Sequence, residues 1–169
     1  IKDLQCYSIR AVVVDSYEQI TEILKILLSR YNASKVFISG SAHRYESYEE
    51  NDVDAFIYEL SKELIKKDYK IISGFGKRIG SSVINGSLAG INEYRDRDIK
   101  SNLILRPFPQ NIVDLSKRKY MFTKYREDML SEAGVAIFMF GNKLSQKEST
   151  IVEADGVLEE YSIAKKRGV

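Results

Sequence analysis

The residues best suited to chemistry follow a short apolar run in the last third of the chain. That run, Val135 to Phe140, ends at Gly141, and a helical pattern restarts near Gly156 with two glutamates, Glu159 and Glu160. Backbone N–H groups at the start of a helix bind anions, and carboxylates one turn further along accept hydrogen bonds from ribose hydroxyls. The combination indicates a nucleotide or sugar-phosphate site, although an ordinary turn followed by a solvated acidic helix start would produce the same residues.

Three further segments place small or cationic residues where strands are predicted to end. Glycine allows a backbone to approach phosphate closely, and the carboxyl ends of parallel strands meet at one edge of a sheet. We therefore predict that a phosphate-containing ligand binds at this edge, with arginine and lysine side chains close by. The expected ligand-binding residues are Gly40, Ser41, Ala42, His43, Gly74, Phe75, Gly76, Lys77, Arg106, Arg126, Gly141, Asn142, Lys143, Gly156, Glu159 and Glu160.

The elements that must position these residues alternate regularly along the sequence. From residue 35 onward a strand, a loop and a helix follow one another four times. Strands are predicted at 36–39, 69–72, 102–105 and 135–140, and helices at 52–67, 80–92, 120–132 and 153–166. This alternation predicts an α/β, Rossmann-like three-layer fold with a mostly parallel sheet and right-handed crossovers.

The first 33 residues carry a separate pattern, a predicted strand at 9–14 and a predicted helix at 17–31. Its apolar residues recur at helical spacing, which predicts one core-facing stripe: Ile20, Ile23, Leu24, Leu27 and Leu28. We expect residues 1–33 to join a preceding domain and residues 34–169 to form a nucleotide-sensing domain. Because the sequence starts without methionine and stops just after the helix-ending Gly168, we expect an excerpt of a longer protein.

Composition limits the classes of function. A net charge of +2 gives no global argument for nucleic-acid binding. The single cysteine, Cys6, and the single histidine, His43, exclude an intramolecular disulfide and a cysteine/histidine zinc site. An all-oxygen metal site stays open, but no metal site is predicted. No apolar run approaches 18 residues and no signal-peptide pattern is present, so the expected location is cytoplasmic.

Two common nucleotide motifs are missing. The stretch from Gly74 to Gly80 reads Gly-x-Gly-x-x-x-Gly, one residue longer than the dinucleotide fingerprint, and Arg106 stands where an NAD site would place an acid. The sequence also lacks a Gly-Lys-Ser/Thr phosphate loop. A hydride-transferring dehydrogenase and an ordinary ATPase or GTPase are therefore disfavoured.

Other residues have structural and functional interpretations. Gly86 and Gly90 lie inside a predicted helix, where each destabilises by about 1 kcal/mol relative to alanine, so close packing on a neighbour is the expected compensation. His43 has no partner carboxylate or nucleophile and is expected in a loop. Four tyrosines could stack on a base, although core packing is the commoner use: Tyr45, Tyr48, Tyr120 and Tyr125.

The order of five segments resembles the SLOG superfamily, a Rossmann-like group that contains the LOG-type nucleotide phosphoribohydrolases and the Smf/DprA proteins. The resemblance covers residues 35–169 and rests on KVFISGSAH, YKIISGFGKRIG, LILRPFPQ, YREDMLSEAGVAIFMFGN and ADGVLEEYSIAKKRGV. LOG enzymes carry an Arg-Lys pair before a strand ending in Pro-Gly-Gly, then Gly-Thr-x-x-Glu. Here Arg126 falls on the lysine, Tyr125 replaces the arginine, Val157 replaces the threonine and Glu160 falls on the glutamate. These departures imply binding without hydrolysis.

Within this superfamily the chain resembles the SLOG domains of the sirtuin-like effectors of bacterial Thoeris anti-phage defence. The resemblance implies an allosteric sensor with no cofactor or catalytic residue of its own. Its ligand would be a cyclic ADP-ribose isomer made by a TIR-domain protein, and binding would activate an attached sirtuin-like NADase domain whose substrate is NAD. It also implies homodimers or tetramers, with no membrane or nucleic-acid partner. The polar loop from Lys143 to Thr150 is the segment expected to move.

Two alternatives stay open at this stage. One is a LOG-like nucleoside monophosphate phosphoribohydrolase with Glu160 and Arg126 as catalytic residues. The other is a DNA-binding domain of the Smf/DprA type, which would need a strong basic stripe.

Overall fold

A computed structural model describes residues 12–94, 96–145 and 149–169. The chain separates into two compact units that divide between Tyr31 and Asn32. The first unit contains most of helix α1, Tyr17–Ala33. Residues 9–11 of the strand predicted at 9–14 lie outside the described residues, and residues 12–14 are not in a strand. No residue of α1 is buried, so the predicted core-facing stripe is not covered within the described part of the chain.

The second unit has the alternating order that the sequence predicts. Its elements are β1 (Lys35–Ser41), α2 (Glu50–Lys66), β2 (Lys70–Ser73), α3 (Ile79–Asn92), α4 (Ile99–Asn102), β3 (Leu103–Leu105), α5 (Leu115–Glu132), β4 (Val135–Phe140), β5 (Asn142–Leu144), β6 (Ile151–Glu153) and α6 (Asp155–Arg167). The first four strands form one parallel sheet in the order β3-β2-β1-β4. The prediction of an α/β, Rossmann-like fold is confirmed.

Helices cover both faces of this sheet because successive residues of a strand point to opposite sides. Val36 and Ile38 of β1 join the apolar cluster under α2 and α3, which contains Ile57 and Val83. Phe37, between them in sequence, joins the opposite cluster with residues of α5 and α6. The sheet is thus the middle of three layers.

Two differences from the predicted elements lie close to the cleft described below. β5 and β6 pair antiparallel as a hairpin, where the sequence predicts only a polar loop. Each strand has three residues, too few to produce a readable alternation. α5 begins at Leu115 rather than near residue 120, because the Asp114 side chain accepts a hydrogen bond from the Lys117 N–H (3.0 Å) and caps the helix earlier.

The predicted close packing at two helical glycines is present between α2 and α3. A Cβ atom at Gly86 would lie 2.1 Å from the Tyr58 carbonyl oxygen, and one at Gly90 would lie 2.8 Å from that of Lys62. Only glycine allows the two helix backbones to approach this closely.

None of the described helices is both long and apolar enough to cross a membrane. The described part of the chain contains no group of three or more metal-ligating side chains arranged to hold an ion.

Candidate ligand-binding cleft

A cleft of about 1250 Å³ opens at the carboxyl ends of β1 and β2. The strand order reverses at β1, since β2 lies on one side of it and β4 on the other. Ligands of open α/β sheets bind at such a reversal. The hairpin β5–β6 and the first turn of α6 complete the walls.

Backbone rather than side chains forms the floor of the cleft. A Cβ atom at Gly76 would lie 2.1 Å from the Gly40 carbonyl oxygen, and one at Gly40 would lie 2.3 Å from that of Met139. The loop after β2 therefore rests directly on β1, which in turn packs against β4. Larger residues at either glycine would separate these segments.

Arg126 of α5 supplies the most buried cation of the cleft among the described residues that line it. Its side chain is 11% exposed, and its Nη1 atom donates to Glu159 Oε2 at 2.9 Å. Its Nε lies 3.5 Å from Glu160 Oε1, and this buried atom makes no hydrogen bond. The guanidinium also lies over the rings of Phe108 and Phe122, 4.9 and 5.8 Å from their centroids. These contacts hold the charge in one place.

The start of α6 lies against this guanidinium. A Cβ atom at Gly156 would lie only 2.8 Å from Arg126 Nη2, so the absence of a side chain allows the approach. Ala154 at the N-cap makes no side-chain hydrogen bond to the first N–H groups of the helix. A cation and the positive end of a helix therefore meet at one point of the cleft, an arrangement that favours an anion.

Among the described residues that line the cleft, Glu160 is the buried carboxylate, with 5% of its surface exposed. Ser39 at the end of β1 donates a hydrogen bond to it. Burial raises the pKa of the Glu160 carboxyl above its ordinary value, and Ser39 and Arg126 oppose that rise. Ser39 was missed from the sequence; its signal is a hydroxyl directly after the apolar run at 36–38.

Glu159 has a different position from its neighbour. It accepts hydrogen bonds from Thr123 and from Arg126 and does not line the cleft. The sequence could not distinguish the two glutamates, because neighbours on a helix point about 100° apart. In the structure Glu160 faces the cleft and Glu159 holds Arg126.

Most of the predicted site residues line this cleft. They are Gly40, Ser41, Gly74, Phe75, Gly76, Lys77, Arg126, Lys143, Gly156 and Glu160. Six others do not line it: Ala42, His43, Arg106, Gly141, Asn142 and Glu159.

An ion pair accounts for the position of Arg106. The segment after β3 reaches the cleft through Phe108 and Gln110, but Arg106 does not line it. Arg106 instead pairs with Glu132 of α5. Ala42 is buried in the apolar core, which leaves it no access to a ligand.

Gly141 and Asn142 fasten the hairpin to the loop after β1. The Asn142 Oδ1 atom accepts hydrogen bonds from the N–H groups of His43 (2.8 Å) and Arg44 (3.0 Å), and its Nδ2 donates to the Arg44 carbonyl (2.9 Å). Gly141 has a φ of +118° and donates from its N–H to the Ser41 carbonyl at 2.9 Å. These residues position the cleft wall.

The hairpin itself brings residues that sequence reasoning missed: Leu144, Ser145, Ile151, Val152 and Glu153. They escaped because the hairpin was not predicted. Lys143, which was predicted, reaches Asp155 at the start of α6, with 2.5 Å between Nζ and Oδ2. This exposed ion pair links the hairpin to the helix.

Comparison with known proteins assigns the chain to a group. The family described as Sir2- and TIR-associating SLOG (STALD) matches residues 19–169. The chain is 44% identical over 169 residues to the NAD(+) hydrolase ThsA of Cytobacillus dafuensis. The aligned region covers 99% of this chain and 34% of that relative. It is 42% identical over 164 residues to the NAD(+) hydrolase ThsA of Bacillus cereus (strain MSX-D12), and this alignment covers 97% of this chain and 33% of that relative.

A third relative, the NAD(+) hydrolase ThsA of Acinetobacter baumannii (strain 532279), is 37% identical over 173 residues, covering 100% of this chain and 36% of that protein. The chain spans about a third of the length of these curated relatives. The predicted SLOG resemblance is confirmed, and the chain belongs to the Sir2- and TIR-associating SLOG family.

Proposed function

We propose that this chain is a ligand-sensing domain that binds a cyclic ADP-ribose isomer without cleaving it. The observation that carries the proposal is the meeting of Arg126 with the start of α6 at Gly156. A fixed guanidinium beside the positive end of a helix suits a pyrophosphate, which carries two negative charges and several acceptor oxygens.

A second cation, Lys143 of the hairpin, is paired with Asp155, the residue directly before Gly156. Lys143 is 39% exposed and its present partner, Asp155, is 87% exposed, so the pair is accessible to solvent and held weakly. A phosphate oxygen can take the place of the Asp155 carboxylate. Arg126 and Lys143 together would then neutralise the pyrophosphate, the first through directed hydrogen bonds and the second as a point charge.

The carboxyl group of Glu160 suits the ribose of the same ligand. Its raised pKa brings the carboxyl nearer to the protonated form, which can both donate to and accept from ribose hydroxyls. Gly40, Gly74 and Gly76 also line the cleft, where their lack of side chains lets neighbouring segments pack closely.

The matched relatives are named as NAD(+) hydrolases, and the chain spans about a third of their length. We infer that residues 1–33 join it to a sirtuin-like domain whose substrate is NAD, and that residues 34–169 carry no catalysis of their own. The ligand would come from a TIR-domain protein in a cytoplasmic anti-phage system. Assembly into homodimers or tetramers belongs to the same proposal.

Binding can change the attached enzyme only by favouring one conformation or assembly over another. The hairpin β5–β6 is the segment we propose to move, because it lines the cleft and is linked to α6 by the exposed Lys143–Asp155 pair. In the longer protein, addition of the cyclic isomer is expected to raise the rate of NAD hydrolysis.

The experiment is a calorimetric titration of the chain with cyclic ADP-ribose isomers, ADP-ribose and AMP, with chromatography to measure ligand consumption. Arg126→Ala is expected to weaken binding of the cyclic isomer by at least about 30-fold, the effect of losing a charge-assisted contact of about 2 kcal/mol. Arg118→Ala is the matched control, since Arg118 lies two turns earlier on α5 and outside the cleft.

Binding of an intact cyclic isomer, lost only in Arg126→Ala, supports a sensor. Absence of binding to every cyclic isomer contradicts the proposal.

One observation favours the phosphoribohydrolase alternative. A buried carboxyl with a raised pKa in a cleft is a common feature of acid–base catalysts, and Glu160 has it. Release of adenine from AMP by the wild type, abolished in Glu160→Gln, would replace the sensor with a LOG-like nucleoside monophosphate phosphoribohydrolase.

A further inference from the structure

Phe75, at the end of β2, has an unusual backbone conformation. Its φ is 60°, in the left-handed region that bulky residues rarely occupy. It lies between Gly74 and Gly76 in the loop that forms the cleft floor, and its side chain is 52% exposed. A strained and half-exposed aromatic residue lowers the stability of a fold, and such strain is concentrated at ligand-binding and active sites.

The first turn of α3 determines where the ring of Phe75 lies. A Cβ atom at Gly80 would be 3.0 Å from Phe75 Cδ2, so the ring rests on helix backbone that carries no side chain. The Gly80 N–H donates to the Gly76 carbonyl at 2.9 Å, which ties the loop to the helix at the same point. The ring is therefore supported on one side and open to the cleft on the other.

The other aromatic rings of the cleft are already occupied. Phe108 and Phe122 pack on each other with centroids 4.9 Å apart, and both lie beneath the Arg126 guanidinium. Phe75 makes no ring–ring or ring–guanidinium contact with the residues that the structure describes.

The tyrosines that the sequence offered for stacking lie elsewhere. Tyr45 is buried and packs on Phe140, with ring centroids 5.2 Å apart. Tyr125 packs near Phe108 at 6.1 Å, and neither Tyr48 nor Tyr120 lines the cleft. Among the described aromatic residues that line the cleft, Phe75 is thus the one whose ring has a surface available to a ligand.

We propose that Phe75 is the platform on which the purine base of the ligand stacks. This inference rests on the proposed function and adds the chemistry of the other end of the ligand: phosphate at Arg126 and a flat aromatic base at Phe75. A base stacks on a phenyl ring through dispersion and water exclusion, and every base has the π-face that this needs.

The test compares a ligand that has a base with one that lacks it. AMP and ribose 5-phosphate are titrated into the wild type, Phe75→Gly and Phe75→Tyr. Phe75→Gly is expected to weaken AMP binding about 5- to 150-fold, the range for one base–aromatic stack, and ribose 5-phosphate binding less than about twofold. Phe75→Tyr retains the ring and is expected to bind AMP as the wild type does.

A thermal melt of the same variants tests the cause of the affinity change. Glycine adopts positive φ without strain, so Phe75→Gly is expected to melt at the wild-type temperature or up to about 3 °C above it. Phe56→Ala is the matched control, because Phe56 is 61% exposed on α2 and does not line the cleft; its affinities should not change.

Equal losses for AMP and ribose 5-phosphate in Phe75→Gly, or no loss for AMP, would overturn the stacking role and leave the sensor intact. A wild type that binds no cyclic isomer would instead refute the proposed function, and the inference with it.

Discussion

The two helical layers of the second unit are built on different principles. On one face α2 and α3 pack backbone against backbone at Gly86 and bury aliphatic residues, including Ile57 and Val83. On the other face α5 and α6 are joined by polar contacts centred on Arg126. Of the residues described on α6, only Glu160 and Ala164 are buried. Both layers contain a buried apolar cluster, but the second layer also holds fixed charges at the cleft. We call the α2–α3 side the apolar layer and the α5–α6 side the polar layer.

The energetics of burial support this division. A buried ion pair contributes little net stability, because desolvation of the charges offsets most of their attraction. The Arg126–Glu160 contact is nevertheless buried, and Arg126 Nε is left without a hydrogen bond. Such an arrangement is expected where a charged ligand completes the set of contacts. We therefore expect substitutions in the apolar layer to change folding stability most, and substitutions in the polar layer to change pH dependence and ligand affinity.

The largest expected effect is on the apolar layer. Gly86→Ala places a methyl group against the Tyr58 carbonyl and forces α3 away from α2, which should lower the free energy of unfolding by about 3 kcal/mol despite alanine's higher helix propensity. Urea denaturation measures the change. Asn85→Ala, at the exposed neighbouring position, is the control and should alter stability by less than about 1 kcal/mol. A loss below about 1 kcal/mol for Gly86→Ala would contradict the contrast between the layers.

A smaller, pH-dependent effect is expected in the polar layer. Because the pKa of Glu160 is raised above 4.5, its contribution to stability is fully present below that value and is lost as pH rises through the raised pKa. Glu160→Gln keeps an acceptor for the Ser39 hydroxyl and removes the ionisation. Relative to the wild type, the variant should therefore gain stability as pH increases from about 4.5 towards neutrality.

Melting temperatures recorded for both proteins across this range measure the effect. Parallel curves for wild type and Glu160→Gln would show that the buried carboxyl does not behave differently from exposed ones, and would remove the energetic reason for treating it as part of a ligand site.

The smallest expected effect concerns the rim of the cleft. Asp155→Asn removes the partner of Lys143 and leaves the lysine free for an anion. Because both side chains are accessible, folding stability should change by less than about 1 kcal/mol. Affinity for an anionic ligand should rise about twofold to fivefold at low salt, the gain decreasing at 0.3 M salt as screening increases. Calorimetry at two salt concentrations measures it, and weaker binding would indicate that Asp155 itself contacts the ligand.

Local patterns in the sequence accounted for the fold and much of the cleft. The apolar run at Val135–Phe140 predicted β4 to the residue, and the alternation of strands with helices predicted a parallel sheet. The glycines at the ends of β1 and β2 were predicted to lie at the ligand edge of the sheet, and Gly40, Gly74 and Gly76 line the cleft. These inferences succeeded because each depends on neighbours within one turn or one strand, where period and residue type determine the conformation.

Contacts between distant segments were decided only in three dimensions. Ser39 meets Glu160 across 121 positions of sequence, and no local pattern indicates that pairing. Arg106 pairs with Glu132 of α5 and does not line the cleft, although Phe108 of the same segment does. The rotation of α6 against α5 turns Glu160 inward and leaves Glu159 to hold Arg126. The sequence by itself determined which residues are chemically suited to bind a nucleotide. Tertiary packing decided which of them share a cleft, because the positions of distant segments depend on the sum of all contacts.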